Sequence, residues 1–84
     1  MNGNFYREIQ ETMEKYENDR AEEVINSAKN EVRKAAKKGL HCCVLGYYCA
    51  EKWRASYVKE YFGKEGFALV IKEEAPFIEI TVYW

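Results

Sequence analysis

The stretch Pro76-Phe77-Ile78-Glu79-Ile80-Thr81-Val82-Tyr83-Trp84 carries the clearest periodicity in the chain, with Ile78, Ile80, Val82 and Trp84 alternating against Phe77, Glu79, Thr81 and Tyr83. Successive side chains of a strand point to opposite faces, so this alternation predicts a strand with one buried face. Pro76 stands at its start, where a strand tolerates a residue without an N–H. Upstream, Phe67 to Glu73 reads as a second strand, and the short turn at Glu74 to Pro76 makes the two an antiparallel hairpin.

Before this hairpin, Ala50 to Phe62 has helical spacing. Ala50, Tyr57, Val58 and Tyr61 share one face, Trp53 and Phe62 lie at its margins, and Gly63 and Gly66 mark the return. His41 to Tyr48 is apolar and short enough for a strand. A strand, helix and strand in succession imply a right-handed crossover between parallel strands. The expectation is therefore an α+β domain, helix-strand-helix-strand-strand, with a three-stranded mixed sheet, the last strand central, and the helices packed on one face.

The segment 4–38 contains only helix formers and polar residues, without proline. It carries two apolar stripes: Phe5, Ile9, Met13 and Tyr16, then Ala21, Val24, Ile25, Ala28, Val32 and Ala35. On a helical wheel their centres lie roughly 120° apart, more than one straight helix with one buried stripe accommodates. Asp19 with Glu22 has capping-box spacing, which leaves two readings: two helices broken near 18–20, or one long helix whose first stripe faces another surface. Gly39, after the basic Lys37 and Lys38, is placed to close the helix.

Eighty-four residues with 48% hydrophobic and 15% aromatic content describe one packed domain rather than a disordered chain. The net charge of −1 conceals a split. Residues 1 to 23 hold three bases and seven acids, and residues 24 to 40 hold five bases and one acid. That balance excludes a footprint dominated by nucleic-acid binding while permitting a local basic patch. No apolar run is long enough to span a membrane, and the polar start lacks the regions of a signal peptide, so a cytoplasmic location is expected. Three cysteines without a spaced framework agree with a reducing compartment.

His41, Cys42, Cys43 and Cys49 are the one concentration of soft-metal ligands, and a structural zinc site uses four. On a strand, however, Cys42 and Cys43 point to opposite faces, and Cys49 lies about 20 Å beyond Cys43. Cysteines packed as small hydrophobes are the expectation, without a cofactor, and zinc is the alternative. The chain has no nucleophile elbow, phosphate loop or paired metalloprotease histidines, so no enzyme activity is expected.

Contact residues are easier to propose. Glu8, Glu11, Glu14 and Glu17 form a spiral of carboxylates opposite the first apolar stripe, either a solvated face or a mimic of a phosphate backbone. Tyr16, Tyr48 and Trp53 are aromatic side chains of the kind that anchor interfaces. Partner binding is thus expected at Glu11, Glu14 and Tyr16, with Tyr48 and Trp53 as further contacts. Lys29, Arg33, Lys34, Lys37 and Lys38 supply the alternative, a nucleic-acid contact, and the Phe5 to Tyr16 stripe a third reading, a homodimer.

The basic helix end with glycine, the helix closing on Gly63-Lys64-Glu65-Gly66-Phe67 and the terminal Ile78-Glu79-Ile80-Thr81-Val82-Tyr83-Trp84 resemble small accessory proteins of bacteriophages and prophages, some of which are anti-CRISPR inhibitors. The resemblance covers half to two-thirds of the chain and assigns no functional residue. It implies a protein that inhibits a host defence effector, such as a CRISPR nuclease, by direct stoichiometric binding.

Overall fold

A computed structural model describes residues 3–84. The chain runs α1 (Asn4–Lys37), β1 (Cys42–Tyr48), a short 3-10 turn (Cys49–Glu51), α2 (Lys52–Lys64), β2 (Ala68–Glu74) and β3 (Phe77–Tyr83). The helix and strand order is the expected one. The sheet order is β1-β3-β2, and β3 pairs antiparallel with both neighbours. The sheet is therefore antiparallel throughout, not mixed. β1 and β2 do run parallel to one another, as a crossover requires, but β3 inserts between them and no parallel pair forms.

One cross-strand row fixes the register: Leu45 of β1 and Ile71 of β2 both face Ile80 of β3. Ile78, Ile80 and Val82 are buried while Phe77, Glu79 and Tyr83 are exposed, as the alternation demands. Trp84 departs from that expectation. It lies beyond the last pair of β3, its N–H donating to the His41 carbonyl at 3.0 Å, and its side chain is exposed because the core has run out.

The core joins Val24 and Ala28 of α1 with Ala55, Val58 and Phe62 of α2 and Leu45, Ile78, Ile80 and Val82 of the sheet. Phe62 belongs to the centre of this cluster rather than to the margin of α2, and Ala50 is exposed. The reason lies in the Ala55, Val58, Phe62 spacing of three and four residues, which sets the buried face a few positions around from the face expected.

Both helices end in the same way. Gly39 N–H donates to the Ala36 carbonyl and Leu40 N–H to the Ala35 carbonyl; Gly66 N–H donates to Gly63 and Phe67 N–H to Phe62. These are Schellman pairings, which need a residue in the left-handed region, and Gly39 (φ 78°) and Gly66 (φ 93°) supply it. At the second, the apolar contact that accompanies the motif is the edge-to-face pair of Phe62 and Phe67, 5.2 Å between ring centres.

α1 is one unbroken helix of 34 residues, about 51 Å long at 1.5 Å per residue. Asp19 sits inside it and caps nothing. The phase shift between the two stripes is accommodated without a break because only the second stripe meets the core: Val24, Ala28 and Ala35 are buried, whereas every residue from Asn4 to Asp19 is exposed. The first four turns thus project from the domain as an arm. This explains a molecule of 58 × 28 × 18 Å whose radius of gyration is 16.1 Å, against about 12 Å for a compact chain of this length.

Candidate functional site: the helical arm and the notch at its base

The arm displays an exposed apolar stripe. Phe5 is 72% exposed, Tyr6 70%, Ile9 43%, Met13 51% and Tyr16 54%. A helix this short is marginal by itself in water. Here the docked part of α1 supplies the nucleus, and the arm extends from it. Glu8, Glu11 and Glu14 are exposed around the remaining circumference. The Thr12 hydroxyl donates back to the Glu8 carbonyl at 2.8 Å.

Where the arm leaves the domain, α1 and α2 diverge and leave a notch of about 320 Å³ lined by Met13, Tyr16, Glu17, Arg20, Trp53 and Tyr57. Arg20 organises it. Its guanidinium carbon stands 4.2 Å from the centre of the Trp53 ring and 5.4 Å from that of Tyr16, and Nη1 donates to the Tyr16 hydroxyl at 2.9 Å. Arg54, ion-paired with Glu51, is a second cation near Trp53 at 4.8 Å. Tyr57 meets Trp53 edge-on, 6.1 Å between centres. Such contacts hold a tryptophan in one orientation while leaving part of its surface open to a ligand.

Among the residues expected to bind a partner, Tyr16 and Trp53 come together at this notch, and Glu11 and Glu14 lie along the arm that leads to it. Tyr48 does not join them. By its parity with Val44 it lies on the sheet face opposite Leu45, where it packs on Phe77 with ring centres 5.2 Å apart. The sequence reading passed over Arg20 and Tyr57. Arg20 was legible as the position four residues after Tyr16 on the same stripe, whereas the approach of Tyr57 required the crossing of two helices.

The face carrying Tyr48 is itself open. Val44, Thr81 and Val70 form one cross-strand row on it and Cys42, Tyr83 and Ala68 the next, with Val44, Val70, Phe77 and Tyr83 all exposed. The charged row Glu79 and Lys72 interrupts this surface.

The basic residues are largely engaged at home. Lys29 stands 5.3 Å from the Tyr61 ring centre, Arg33 donates to the Asn30 side chain at 2.9 Å, and Lys34 pairs with Glu31 at 3.3 Å. Lys37 and Lys38 end the helix in solvent, where they complement its negative end.

His41, Cys42, Cys43 and Cys49 do not converge on a metal site; among the described residues no three His, Cys, Asp or Glu side chains are placed to hold an ion. The reason is strand parity together with the length of β1. Cys43 and Cys49 pack against the core cluster instead. Burial, reinforced by the nearby Glu31 carboxylate and Cys42, raises the pKa of the Cys43 thiol. Burial also raises the Tyr47 phenol, against a smaller opposing effect from Arg54.

With protein families, curated proteins and solved structures the chain shows no match. The geometry stands alone. Among the described residues no helix is long and apolar enough to cross a membrane.

Proposed function

We propose that this chain is a non-enzymatic binding protein that acts by stoichiometric contact with another protein chain through the arm and the notch at its base. The observation that carries this reading is the exposure of residues 4–19 in a segment that nonetheless holds Phe5, Tyr6, Ile9, Met13 and Tyr16 at helical spacing. A face of that kind is the usual signature of a helix that lies in an apolar groove. Among the described residues no other element covers the arm.

In the narrower form suggested by the resemblance to phage accessory proteins, the contacted protein is a host defence effector in the bacterial cytoplasm, and occupation of its site inhibits it. The carboxylates that flank the stripe favour a groove with a basic rim. The nucleic-acid reading is weaker, because Lys29, Arg33 and Lys34 already have partners within the chain.

Affinity capture with the wild type and with an Ile9→Glu/Met13→Glu variant tests the proposal. Neither residue touches the core, so the variant retains its fold, which circular dichroism verifies. Partners held by the wild type and lost by the variant are the expected result. Partners held equally by both, or capture of nucleic acid alone, would overturn it.

A further inference from the structure

The arm is self-complementary. Along it, Tyr6, Ile9, Met13, Tyr16 and Arg20 succeed one another at steps of 3, 4, 3 and 4, the spacing of a two-stranded helical seam. An aromatic knob, Phe5 with Tyr6, stands at one end of this seam, and the notch of Tyr16, Arg20, Trp53 and Tyr57 stands at the other. Fifteen residues separate Phe5 from Arg20, about 22 Å along the axis. A two-fold axis across the middle of the arm brings each knob to the other copy's notch.

Building on the reading that the arm is the contact surface, we infer that a second copy of this chain occupies it until a partner displaces that copy, paired antiparallel so that Phe5 of each protomer enters the notch of the other. In this register Tyr6 lies opposite Tyr16 and Ile9 opposite Met13, which are hydrophobic layers throughout. The seam is flanked at its centre by Gln10 and Thr12, both neutral, while Glu8, Glu11, Glu14 and Lys15 point away from it. The ends are complementary in charge. The first turn of α1 has no acidic residue to compensate its positive end; the antiparallel register sets this end beside Glu17 and Asp19 of the other arm. Parallel pairing would instead place Arg20 against Arg20 and crowd the two sheet domains together.

The size of the interface agrees with a closed but weak dimer. Covering Phe5, Tyr6, Ile9, Met13 and Tyr16 at their exposures removes about 500 Å² from each copy. The total, near 1,000 Å², lies at the lower end of specific interfaces. The isologous geometry uses one patch twice and leaves no open end from which a filament could grow.

Sedimentation equilibrium of the full chain, from low-micromolar to millimolar concentration, should show reversible passage from monomer to dimer, and the Ile9→Glu/Met13→Glu variant should remain monomeric throughout. In a Trp84→Phe background Trp53 is the sole tryptophan, and its emission should move to shorter wavelength as the dimer fills the notch. Phe5→Ala should abolish that shift. Orientation is read with a short bifunctional maleimide on a Cys42→Ser/Cys43→Ala/Cys49→Ser background: Thr12→Cys joins to its counterpart near the axis, and Asp19→Cys, about 24 Å from its own along the axis, does not. A monomer at every concentration, a dimer insensitive to the arm variant, or cross-linking through Asp19→Cys would each overturn the inference. If the chain is monomeric yet the arm variant loses a captured partner, the second copy is excluded while the arm survives as a contact surface.

Discussion

Ile80→Ala is the substitution that most directly interrogates the fold. Ile80 has no solvent exposure, occupies the central strand, and faces Leu45 on one side and Ile71 on the other. Losing its outer carbons costs about 2.4 kcal/mol of transfer free energy, and the void that two packed helices cannot close adds about 1.5 kcal/mol. The sum of about 4 kcal/mol is large beside a total stability of about 4 to 13 kcal/mol for a chain of this length, and lowers the melting temperature by about 20 °C. Two controls share the same sheet. Ile71, in the same row but 46% exposed, and Val44, 59% exposed with opposite parity, should each cost only about 1 kcal/mol on truncation to alanine, since each already contacts water and leaves no enclosed void. Urea denaturation followed by tryptophan fluorescence measures all three, with an unchanged slope as the sign that only the folded state has been altered. If Val44→Ala proved as costly as Ile80→Ala, the helices would have to cover the other face of the sheet, and the reasoning would fail.

Three further outcomes follow from the same geometry. Arg20→Met keeps the aliphatic stem but removes the cation over Trp53; the loss is about 1 kcal/mol, and a double-mutant cycle with Trp53→Leu should return most of it as coupling, whereas additive effects would deny the contact any role. Gly39→Ala costs about 1 kcal/mol through backbone strain alone, because φ is 78° and a Cβ there meets no atom within 4 Å; Gly39→Asn should recover part of the loss, and a neutral alanine variant would contradict the helix ending described. Finally, Cys43 and Tyr47 both release their protons less readily when folded than when unfolded. Their contribution is intact below the unfolded values and is lost as pH rises through the raised folded ones. Stability should therefore fall in alkaline solution, and Cys43→Ala/Tyr47→Phe should flatten that fall in pH-dependent urea titrations; an equal decline in both proteins would assign it to other groups.

The secondary structure was legible because its signals are local. The alternation of Ile78, Ile80 and Val82, the glycines at 39 and 66, and the apolar stripe from Val24 to Ala35 each act within a few residues of themselves, and each formed what its pattern demands. Even the central place of the last strand could be read, since it is the most β-branched of the three and requires neighbours on both edges. The candidate notch was partly legible too. Tyr16 and Trp53 announced themselves as large aromatic side chains, but nothing in the spacing brought them together.

The misjudged sheet has one cause, which is that it depends on relations between elements. A mixed sheet follows from strand directions alone, until the insertion of β3 separates the parallel pair. By itself the sequence determined which segments are helix and strand, because propensity, capping and periodicity act over a turn or two. Only the tertiary structure decided that the first stripe of α1 lies exposed and that Arg20 lies on Trp53, because both depend on where α2 crosses α1 and where the sheet ends.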